Sequence, residues 1–381
     1  MRLPQPQASY APILESKSRR SKKIAVPSLS PSFSSLITSH QQPDSKQPTM
    51  AETSKFPPIR ACIFDVDGTL INSEDVYTEI YNHILRSYGA PDYPWKVKAI
   101  QQSRGHEGTQ RLLNWAQIGL TPAEWKALEH SHVQLFRTCE LLPGVSSLLS
   151  TLSTLKTPYQ AVHSSQNSHS SQQRFEPLRL ALASSAGKTL FEIKTNHLPI
   201  IASTFPQGCR VFGDDEELVG KKTKPEPDLF LLALKRINLS MAAGSPKSSF
   251  SSASDVGLGG DIEEDESENA IQPEEVLVFE DSIAGVEAAR RAGMRVVWVP
   301  HPGLANVARG REMEVLMGVT EKDGAIPAFA DEEEGGKPDV ETEGGVVMRS
   351  PDGWAVMLRS LEEFPYKEFG FDVDEGALTS S

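Results

Sequence analysis

Short apolar runs that alternate with helical patterns are the feature that most limits how this chain of 381 residues can fold. Each run is shorter than an ordinary helix and is bounded by polar, Gly or Pro residues, which is typical of a buried strand. Strands that alternate with helices assemble into a parallel sheet covered by helices on both faces. We therefore predict an α/β fold built on a doubly wound, Rossmann-like parallel sheet. The predicted strands are Ala61–Phe64, Leu178–Ala183, Cys209–Phe212, Val276–Phe279 and Arg295–Val299.

The stretch between the first run and Pro143 contains helical patterns and no strand pattern. Val76, Ile80 and Ile84 recur at helical spacing and predict one buried helix face. The tetrapeptide that begins at Thr121 has the form of a capping box, with Pro at the first helical position. We expect about four helices here, inserted between the first strand and the rest of the sheet.

The net charge of −13 argues against free nucleic acid as a partner. Acidic residues cluster at 255–275 and 331–343, and runs of this kind are usually solvated. No stretch is apolar for long enough to span a bilayer. The cysteines Cys62, Cys139 and Cys209 have no metal-ligand spacing and predict no disulfide framework, which favours a reducing compartment. We expect the protein to be a monomer with neither a nucleic-acid nor a membrane partner.

Residues 1–50 are basic, rich in Ser and poor in acidic residues. They contain no apolar core of a secretory signal peptide. Three interpretations stay open: a disordered tail, a mitochondrial transit peptide, or a natural start at Met50. A cytoplasmic location is the expectation, and a mitochondrial one is the alternative if this segment is a transit peptide.

Two carboxylates follow the first predicted strand directly. Asp65 and Asp67 stand in the sequence Asp-Val-Asp-Gly-Thr, where alternation can aim both side chains to the same side. Carboxylates held this close repel each other unless a cation or a proton intervenes, and a hard divalent cation prefers oxygen ligands. A plain turn and a calcium-binding loop are the alternatives. The calcium loop would need Glu at its twelfth position, where this chain has Val76.

Ser184 and Lys224 follow later in the chain. Ser184 comes after the second predicted strand and can donate to a phosphate oxygen, although serine at such a place is usually a turn residue. Lys224 precedes Pro-Glu-Pro-Asp and a predicted helix, and a lysine there can neutralise charge on a transferring phosphoryl group. Lys221 and Lys222 compete for this role, but only Lys224 leads directly into the Pro-rich helix entry.

Glu280 and Asp281 end an apolar predicted strand. Acidic side chains should not be buried there without a partner, and a metal shared with Asp65 would be that partner. Helix capping by Asp281 or Ser282 is the alternative, but capping needs one residue and leaves Glu280 unexplained. The carboxyl ends of parallel strands share one edge of a sheet, so we expect these groups to converge.

The four motifs, in this order, resemble those of the haloacid dehalogenase superfamily. The first motif is matched by the segment that begins at Asp65, the second by Ser184, the third by Lys224 and the fourth by Glu280-Asp281. The inserted helices resemble the small cap of the beta-phosphoglucomutase-like branch. A narrower resemblance, to pseudouridine-5'-phosphatases, is carried by Lys194-Thr195, Phe212–Glu216, Lys224–Phe230, Phe279–Ala289 and Ser360–Phe364.

The resemblance implies a Mg2+-dependent hydrolase of phosphomonoesters that acts on a small phosphorylated metabolite. Asp65 would be the nucleophile and would form an aspartyl-phosphate. Asp67 would protonate the leaving oxygen and then deprotonate the attacking water. Glu280 would bind the metal directly or through water. The implied metal ligands are Asp65, the backbone carbonyl of Asp67, Asp281 and Glu280, and the implied phosphate-binding residues are Ser184 and Lys224.

The same resemblance divides the chain into parts. Two insertions, 160–176 and 240–273, and the extra residues between Gly220 and Lys224 depart from the family pattern, but such segments can loop out of a sheet without touching its site. The predicted parts are a disordered basic tail at 1–56, a catalytic core at 57–72 and 143–304, a helical cap at 73–142, and a C-terminal extension at 305–381 with an acidic insertion and a short segment that packs on the core.

Several functions stay open at this point. The substrate of a phosphatase would be pseudouridine 5'-phosphate or another sugar or polyol phosphate, and a phosphosugar mutase would use the same chemistry. An inactive binding module is a further alternative, although the presence of both Asp65 and Asp67 argues against it. Residues of the inserted helices would distinguish substrates, unless they are solvated loop residues. The candidates are Glu74, Arg104, His106 and Glu107.

Overall fold

The computed structural model describes residues 56–159, 174–244, 269–319 and 345–373. The predicted tail and the acidic run at 331–343 lie outside these ranges, apart from Phe56. The strands are β1 (Ala61–Phe64), β2 (Lys156–Tyr159), β3 (Arg174–Pro177), β4 (Arg179–Ser184), β5 (Arg210–Phe212), β6 (Val276–Glu280), β7 (Arg295–Trp298), β8 (Val346–Arg349) and β9 (Ala355–Leu358). The α-helices are α1 (Ser73–Ser87), α2 (Trp95–Gln101), α3 (Gly105–Ala116), α4 (Pro122–Ser131), α5 (Val145–Leu152), α6 (Lys188–Thr195), α7 (Pro199–Thr204), α8 (Asp228–Gly244), α9 (Ile283–Arg291), α10 (Pro302–Val307) and α11 (Glu312–Met317).

A mostly parallel sheet organises the described residues, with the strand order β5-β4-β1-β6-β7-β9-β8. Strand β1 lies in the middle and runs parallel to both neighbours, with Phe64 opposite Leu182 of β4 and Phe279 of β6. The chain therefore builds outward from β1 in both directions, which places the topological switch beside the end of β1. This arrangement confirms the predicted doubly wound α/β fold.

Two hydrophobic clusters cover the two faces of the sheet. Phe64 of β1 and Leu148 of α5 belong to one cluster, and Ile63 of β1 and Phe230 of α8 belong to the other. The rings of Phe64 and Phe279 stack at 4.3 Å between centroids. Because both faces are buried, the central strands are continuous apolar runs without polar alternation. This burial holds the carboxyl ends of β1, β4 and β6 in fixed register.

Helices α1 to α4 lie between β1 and α5, as predicted. Val76, Ile80 and Ile84 are buried along one face of α1. The capping box at the start of α4 is present, with the Thr121 hydroxyl accepting from the backbone of Glu124. We call residues 73–142 the helical insertion. No helix among the described residues is long and apolar enough to cross a membrane.

Several strands differ from the predictions. Strands β8 and β9 extend the sheet by two members beyond the five expected, because a four-residue apolar run does not by itself distinguish a strand from a helix. Strands β2 and β3 form a separate antiparallel pair. The prediction of a looped-out insertion at 160–176 is therefore wrong for residues 174–176. Both of these strands contain Pro, which is tolerated only at edges or strand ends.

The segment predicted to loop out at 240–273 is also shorter at both ends than expected. Helix α8 continues to Gly244, and Ile271 is buried in the core. The Asn238 side chain bonds the backbone N–H and C=O of Ile271, at 2.9 and 3.0 Å. The remaining residues of this segment and residues 160–173 lie outside the described ranges.

Arg60 lies where the amino ends of the three strands β1, β4 and β6 meet. It precedes β1, and its backbone bonds to Glu275 before β6 and to Arg179 of β4. Its side chain is 5% exposed, and its guanidinium donates to Glu176 at 2.7 Å and to Asn269 at 2.8 Å. These contacts lie at the end of the sheet opposite to the carboxyl ends that carry the motifs.

Candidate active site

The loop after β1 starts the site. The backbone N–H of Asp65 donates to Phe279 at 3.0 Å, which continues the strand pairing for one residue. Gly68 has a φ of +79°, and a Cβ atom there would lie 2.8 Å from Glu74 and would overlap the carboxylate of Asp281. Glycine therefore lets this loop turn back closely against Asp281, where a side chain would not fit.

Lys224 joins two carboxylates at the centre of the site. Its ammonium contacts both Asp65 and Glu280, and the lysine side chain has no exposed surface. Of the two competing lysines, Lys221 pairs with Asp228 at 3.4 Å on the surface and Lys222 is exposed. Lys224 does not directly follow a strand: it lies in the loop between β5 and α8, close to the start of that helix.

Glu280 is buried at the end of β6 by the first turn of α9. One of its oxygens, Oε2, accepts from the backbone N–H of Ser282 at 2.8 Å and from its hydroxyl at 3.0 Å. Ser282 is also the N-cap of α9 and accepts from the backbone N–H of Gly285 at 3.0 Å. Ser282 therefore performs the capping, which leaves the carboxylates of Glu280 and Asp281 for other contacts.

Gly285 is required for this packing, and we expect Gly285→Ala to impair both folding and activity. A Cβ atom at residue 285 would overlap the carboxyl group of Glu280. Because Lys224 and Ser282 hold that carboxyl group, we expect a loss of about 1–3 kcal/mol in the free energy of unfolding, measured by urea denaturation. Gly208→Ala is the matched control, since a Cβ there meets no atom within 4 Å. Equal unfolding free energies for both variants would contradict the proposed contact.

Asp67 is held by donors from three elements. Its Oδ1 accepts from the Ser73 hydroxyl at 2.6 Å and from the Lys194 ammonium at 2.5 Å. Its Oδ2 accepts a longer bond, 3.5 Å, from the hydroxyl of Ser184, which is fully buried at the end of β4. Burial works against the charged form, but the Lys194 ammonium and the Ser73 bond hold the pKa of Asp67 below its ordinary value.

Negative charge is concentrated around Asp65 and Asp281. Burial raises the pKa of Asp65, with Lys224 opposing the rise and Glu280 adding to it. Asp281 is 1% exposed, and burial together with the nearby Glu280 and Glu74 carboxylates raises its pKa well above the ordinary range. The hydrogen bonds of the Lys224 ammonium go to Asp65 and Glu280 and not to Asp281. Further positive charge near Asp281 would therefore favour its ionised form.

The donor set fits a hard divalent cation in its chemistry. Asp65, Glu280 and Asp281 supply carboxylate oxygens, which Mg2+ prefers, and the loop after β1 adds backbone carbonyls. Within the described ranges, no three Asp, Glu, His or Cys side chains are gathered around one point as a ready metal site. The Lys224 ammonium contacts the carboxylates of Asp65 and Glu280 instead, and the Gln102 amide donates to Asp281 at 2.6 Å.

Two cavities adjoin these groups and divide the candidate substrate residues. A cavity of about 300 Å3 is lined by Asp65, Asp67 and Glu74, together with Tyr77, Tyr81 and Tyr93. Glu74 is buried and forms an ion pair with Lys98 at 2.9 Å. A second cavity, of about 640 Å3, is lined by Lys224 and the other candidates of the helical insertion, namely Arg104, His106 and Glu107. The structure thus places Glu74 in the wall of the cavity that holds the aspartates and the other three in the wall of the cavity that Lys224 lines.

Three polar side chains at the site were not among the predicted site residues. Lys194 bonds Asp67, Gln102 bonds Asp281 and Lys98 pairs with Glu74. Lys194 belongs to one of the stretches that resemble pseudouridine-5'-phosphatases, which is the signal that points to it. The other two lie in α2 and at its end, where surface polar residues are ordinary.

Comparison with known proteins identifies the class. The family described as haloacid dehalogenase-like hydrolase matches residues 59–293. A Saccharomyces cerevisiae protein described as a probable pseudouridine-5'-phosphatase is 32% identical over 246 residues, which cover 64% of this chain and 84% of that protein. A Drosophila melanogaster protein of the same description is 29% identical and is covered over 95% of its length, with 71% of this chain.

A plant relative and a solved structure add to this comparison. The (DL)-glycerol-3-phosphatase 1, mitochondrial, of Arabidopsis thaliana is 28% identical over 277 residues, which cover 71% of this chain and 74% of that protein. The structure of CbbY from Rhodobacter sphaeroides in complex with phosphate covers 64% of this chain and 88% of its own, with 19% identity and a TM-score of 0.41.

The family match extends over more than half of the chain and includes the segments that carry all four motifs. This chain belongs to the haloacid dehalogenase-like hydrolases. Within that family it is a phosphatase, as its relatives described as phosphatases indicate. The resemblance inferred from the four motifs is thereby confirmed.

Proposed function

We propose that the protein is a Mg2+-dependent hydrolase of phosphomonoesters that forms an aspartyl-phosphate on Asp65 and acts on a small phosphorylated metabolite. One observation carries this proposal: the Lys224 ammonium contacts the carboxylates of Asp65 and Glu280 where β1 and β6 end. Ser184, at the end of the neighbouring strand β4, lies within 3.5 Å of Asp67. Nucleophile, proton carrier and phosphate-binding groups are thus neighbours.

The reaction is a double displacement at phosphorus. A carboxylate oxygen of Asp65 attacks the phosphorus, and the bond from phosphorus to the leaving oxygen breaks as Asp67 supplies that oxygen with a proton. Water then attacks the aspartyl-phosphate, Asp67 takes a proton from the water, and inorganic phosphate leaves with Asp65 restored. Lys224 and Ser184 stabilise the negative charge on the phosphoryl oxygens.

The metal ligands in this proposal are Asp65, Asp281 and the backbone carbonyl of Asp67, with Glu280 acting directly or through water. A bound Mg2+ supplies positive charge to the phosphoryl oxygens and to these carboxylates. Burial raises the pKa of both Asp281 and Asp65, which supports this assignment, because added positive charge nearby would favour their ionised form. Gln102 orients the Asp281 carboxylate through its amide.

We further propose that the helical insertion is the cap that selects the substrate. The smaller cavity lies between it and the aspartates and has three tyrosines in its wall. Aromatic walls favour a leaving group with a planar ring. This lining supports pseudouridine 5'-phosphate, the substrate named for two of the relatives, over glycerol 3-phosphate, named for a third.

The test is phosphate release from a panel of phosphorylated nucleosides, sugars and polyols, measured with Mg2+ and with EDTA. We expect turnover with Mg2+, its loss in EDTA, and its recovery when excess Mg2+ is added. Pseudouridine 5'-phosphate should have a higher kcat/KM than glycerol 3-phosphate and sugar phosphates.

The metal dependence, the substrate and the type of reaction can each be excluded separately. Full activity in EDTA would exclude the metal-dependent mechanism. A higher kcat/KM for sugar or polyol phosphates would exclude the pseudouridine assignment and retain the phosphatase. Transfer of the phosphoryl group to a second sugar, in place of its release to water, would make the protein a mutase.

A further inference from the structure

A buried lysine lies directly behind Asp67. Lys194 comes from α6, and its side chain has no exposed surface. Its ammonium donates to Asp67 Oδ1 at 2.5 Å and to the Tyr77 hydroxyl at 3.0 Å. Burying a lysine is costly unless its charge is paired and hydrogen-bonded, so this position is specified closely by its partners.

The two oxygens of Asp67 are not equivalent as a result. Oδ1 accepts short bonds from Lys194 and Ser73, at 2.5 and 2.6 Å, whereas Oδ2 accepts a bond of 3.5 Å from Ser184. Two donors from different elements fix the rotation of the carboxyl group, since a turn about its terminal bond would break both bonds. Oδ2 is therefore the oxygen that remains available on the side of Ser184, the proposed phosphate-binding residue.

The ammonium of Lys194 is itself positioned by both ends of the helical insertion. It lies 4.5 Å from the ring centroid of Tyr77 in α1 and 4.7 Å from that of Phe136, near the end of the insertion. Aromatic faces attract a cation at these distances, more strongly when water is excluded. The 300 Å3 cavity is lined by Asp67 and Tyr77 but not by Lys194. A substrate in this cavity would therefore contact Asp67 and not the lysine.

From this geometry we propose that Lys194 is the positioning residue that presents Oδ2 of Asp67 for proton transfer to the leaving oxygen. The inference rests on the proposed role of Asp67. Lys194 keeps its proton throughout: the proton that Asp67 takes from the attacking water in one turnover goes to the leaving oxygen in the next, and Lys194 holds Oδ1 while its charge makes Asp67 the stronger acid. Tyr77 and Phe136 of the helical insertion contact the lysine, so the orientation of Asp67 depends on the position of that insertion.

The experiment compares two leaving groups in Lys194→Met. An alkyl phosphate such as glycerol 3-phosphate needs a proton on its leaving oxygen, whereas the nitrophenolate of p-nitrophenyl phosphate leaves without one. We compare kcat/KM, because it includes the first displacement and excludes the hydrolysis of the aspartyl-phosphate. We expect kcat/KM for the alkyl ester to fall by about a hundredfold more than for the aryl ester, the range of general acid catalysis.

Three further variants make the result decisive. Asp67→Asn should show the same selective loss, Tyr77→Phe a smaller one, since it removes only the hydroxyl that Lys194 contacts, and Lys235→Met, which changes an exposed lysine of α8, none. Equal losses for both esters in Lys194→Met, with a selective loss in Asp67→Asn, would overturn this inference alone. No selective loss in Asp67→Asn would instead overturn the proposed role of Asp67. Activity of Lys194→Met on the aryl ester shows that the variant is folded.

Discussion

Asp65→Asn should lower kcat by at least about a thousandfold toward every phosphomonoester. An amide is a poor nucleophile, and it cannot form the acyl-phosphate that divides the reaction into two steps. The substitution keeps the size of the side chain, and residue 65 stays buried between β4 and β6, so folding should be retained. The measurements are phosphate release under saturating substrate and Mg2+, and the incorporation of labelled phosphate into the protein.

The matched control is Asp92→Asn. Asp92 is an exposed carboxylate that pairs with Arg86 on the surface, and exposed pairs of this kind contribute little. We expect unchanged turnover in this variant. Turnover within tenfold of the parent protein in Asp65→Asn would remove residue 65 as the nucleophile. Labelled phosphate bound covalently to a different residue would lead to the same conclusion.

Lys224→Met should lower both activity and stability. Its ammonium is the positive group that contacts the buried Asp65 and Glu280, so its removal leaves two carboxylates facing each other. Removal of one partner from a buried ion pair costs about 3–5 kcal/mol in the free energy of unfolding. We also expect kcat to fall by at least about a hundredfold, since a positive group at the phosphoryl oxygens is lost.

Urea denaturation with and without Mg2+ separates the two effects. A divalent cation beside the same carboxylates should recover part of the stability of Lys224→Met but little of its activity. Lys221→Met is the control, because Lys221 is half-exposed and pairs with Asp228 at 3.4 Å near the surface. Its unfolding free energy should change by less than about 0.5 kcal/mol. Equal effects of the two substitutions would show that the charge of Lys224 is unimportant.

The strands that carry the chemistry could be predicted because two signals coincide in them. Around Asp65 and Glu280, a buried apolar run ends abruptly in carboxylates, and a local pattern of that kind has few structural explanations. Strands β8 and β9 have only the apolar run. The antiparallel pair of β2 and β3 contains prolines, which usually argue against a strand. Short elements of this kind are defined by their neighbours in space and not by their own residues.

The polar contacts behind the aspartates could not be predicted for a related reason. Lys194 meets Asp67 across 127 residues of chain, and Gln102 meets Asp281 across 179. Neither side chain differs in its local pattern from a polar residue on a helix surface. Their burial follows from the docking of the helical insertion against the sheet, which no window of sequence contains.

The buried Arg60 has a consequence for how the length of this chain can vary. Its partners Glu176 and Asn269 lie in the two stretches that depart from the family pattern, 160–176 and 240–273, next to the segments 160–173 and 245–268. Both departures therefore attach near the amino ends of the strands, and the proposed catalytic groups lie at the other ends. A deletion, a tag or a cleavage site placed in either segment should leave the distances around Asp65 unchanged. The contacts of Arg60 thus join the amino ends of the strands next to both segments, so that a change of length there is separated from the proposed catalytic groups by the length of the sheet.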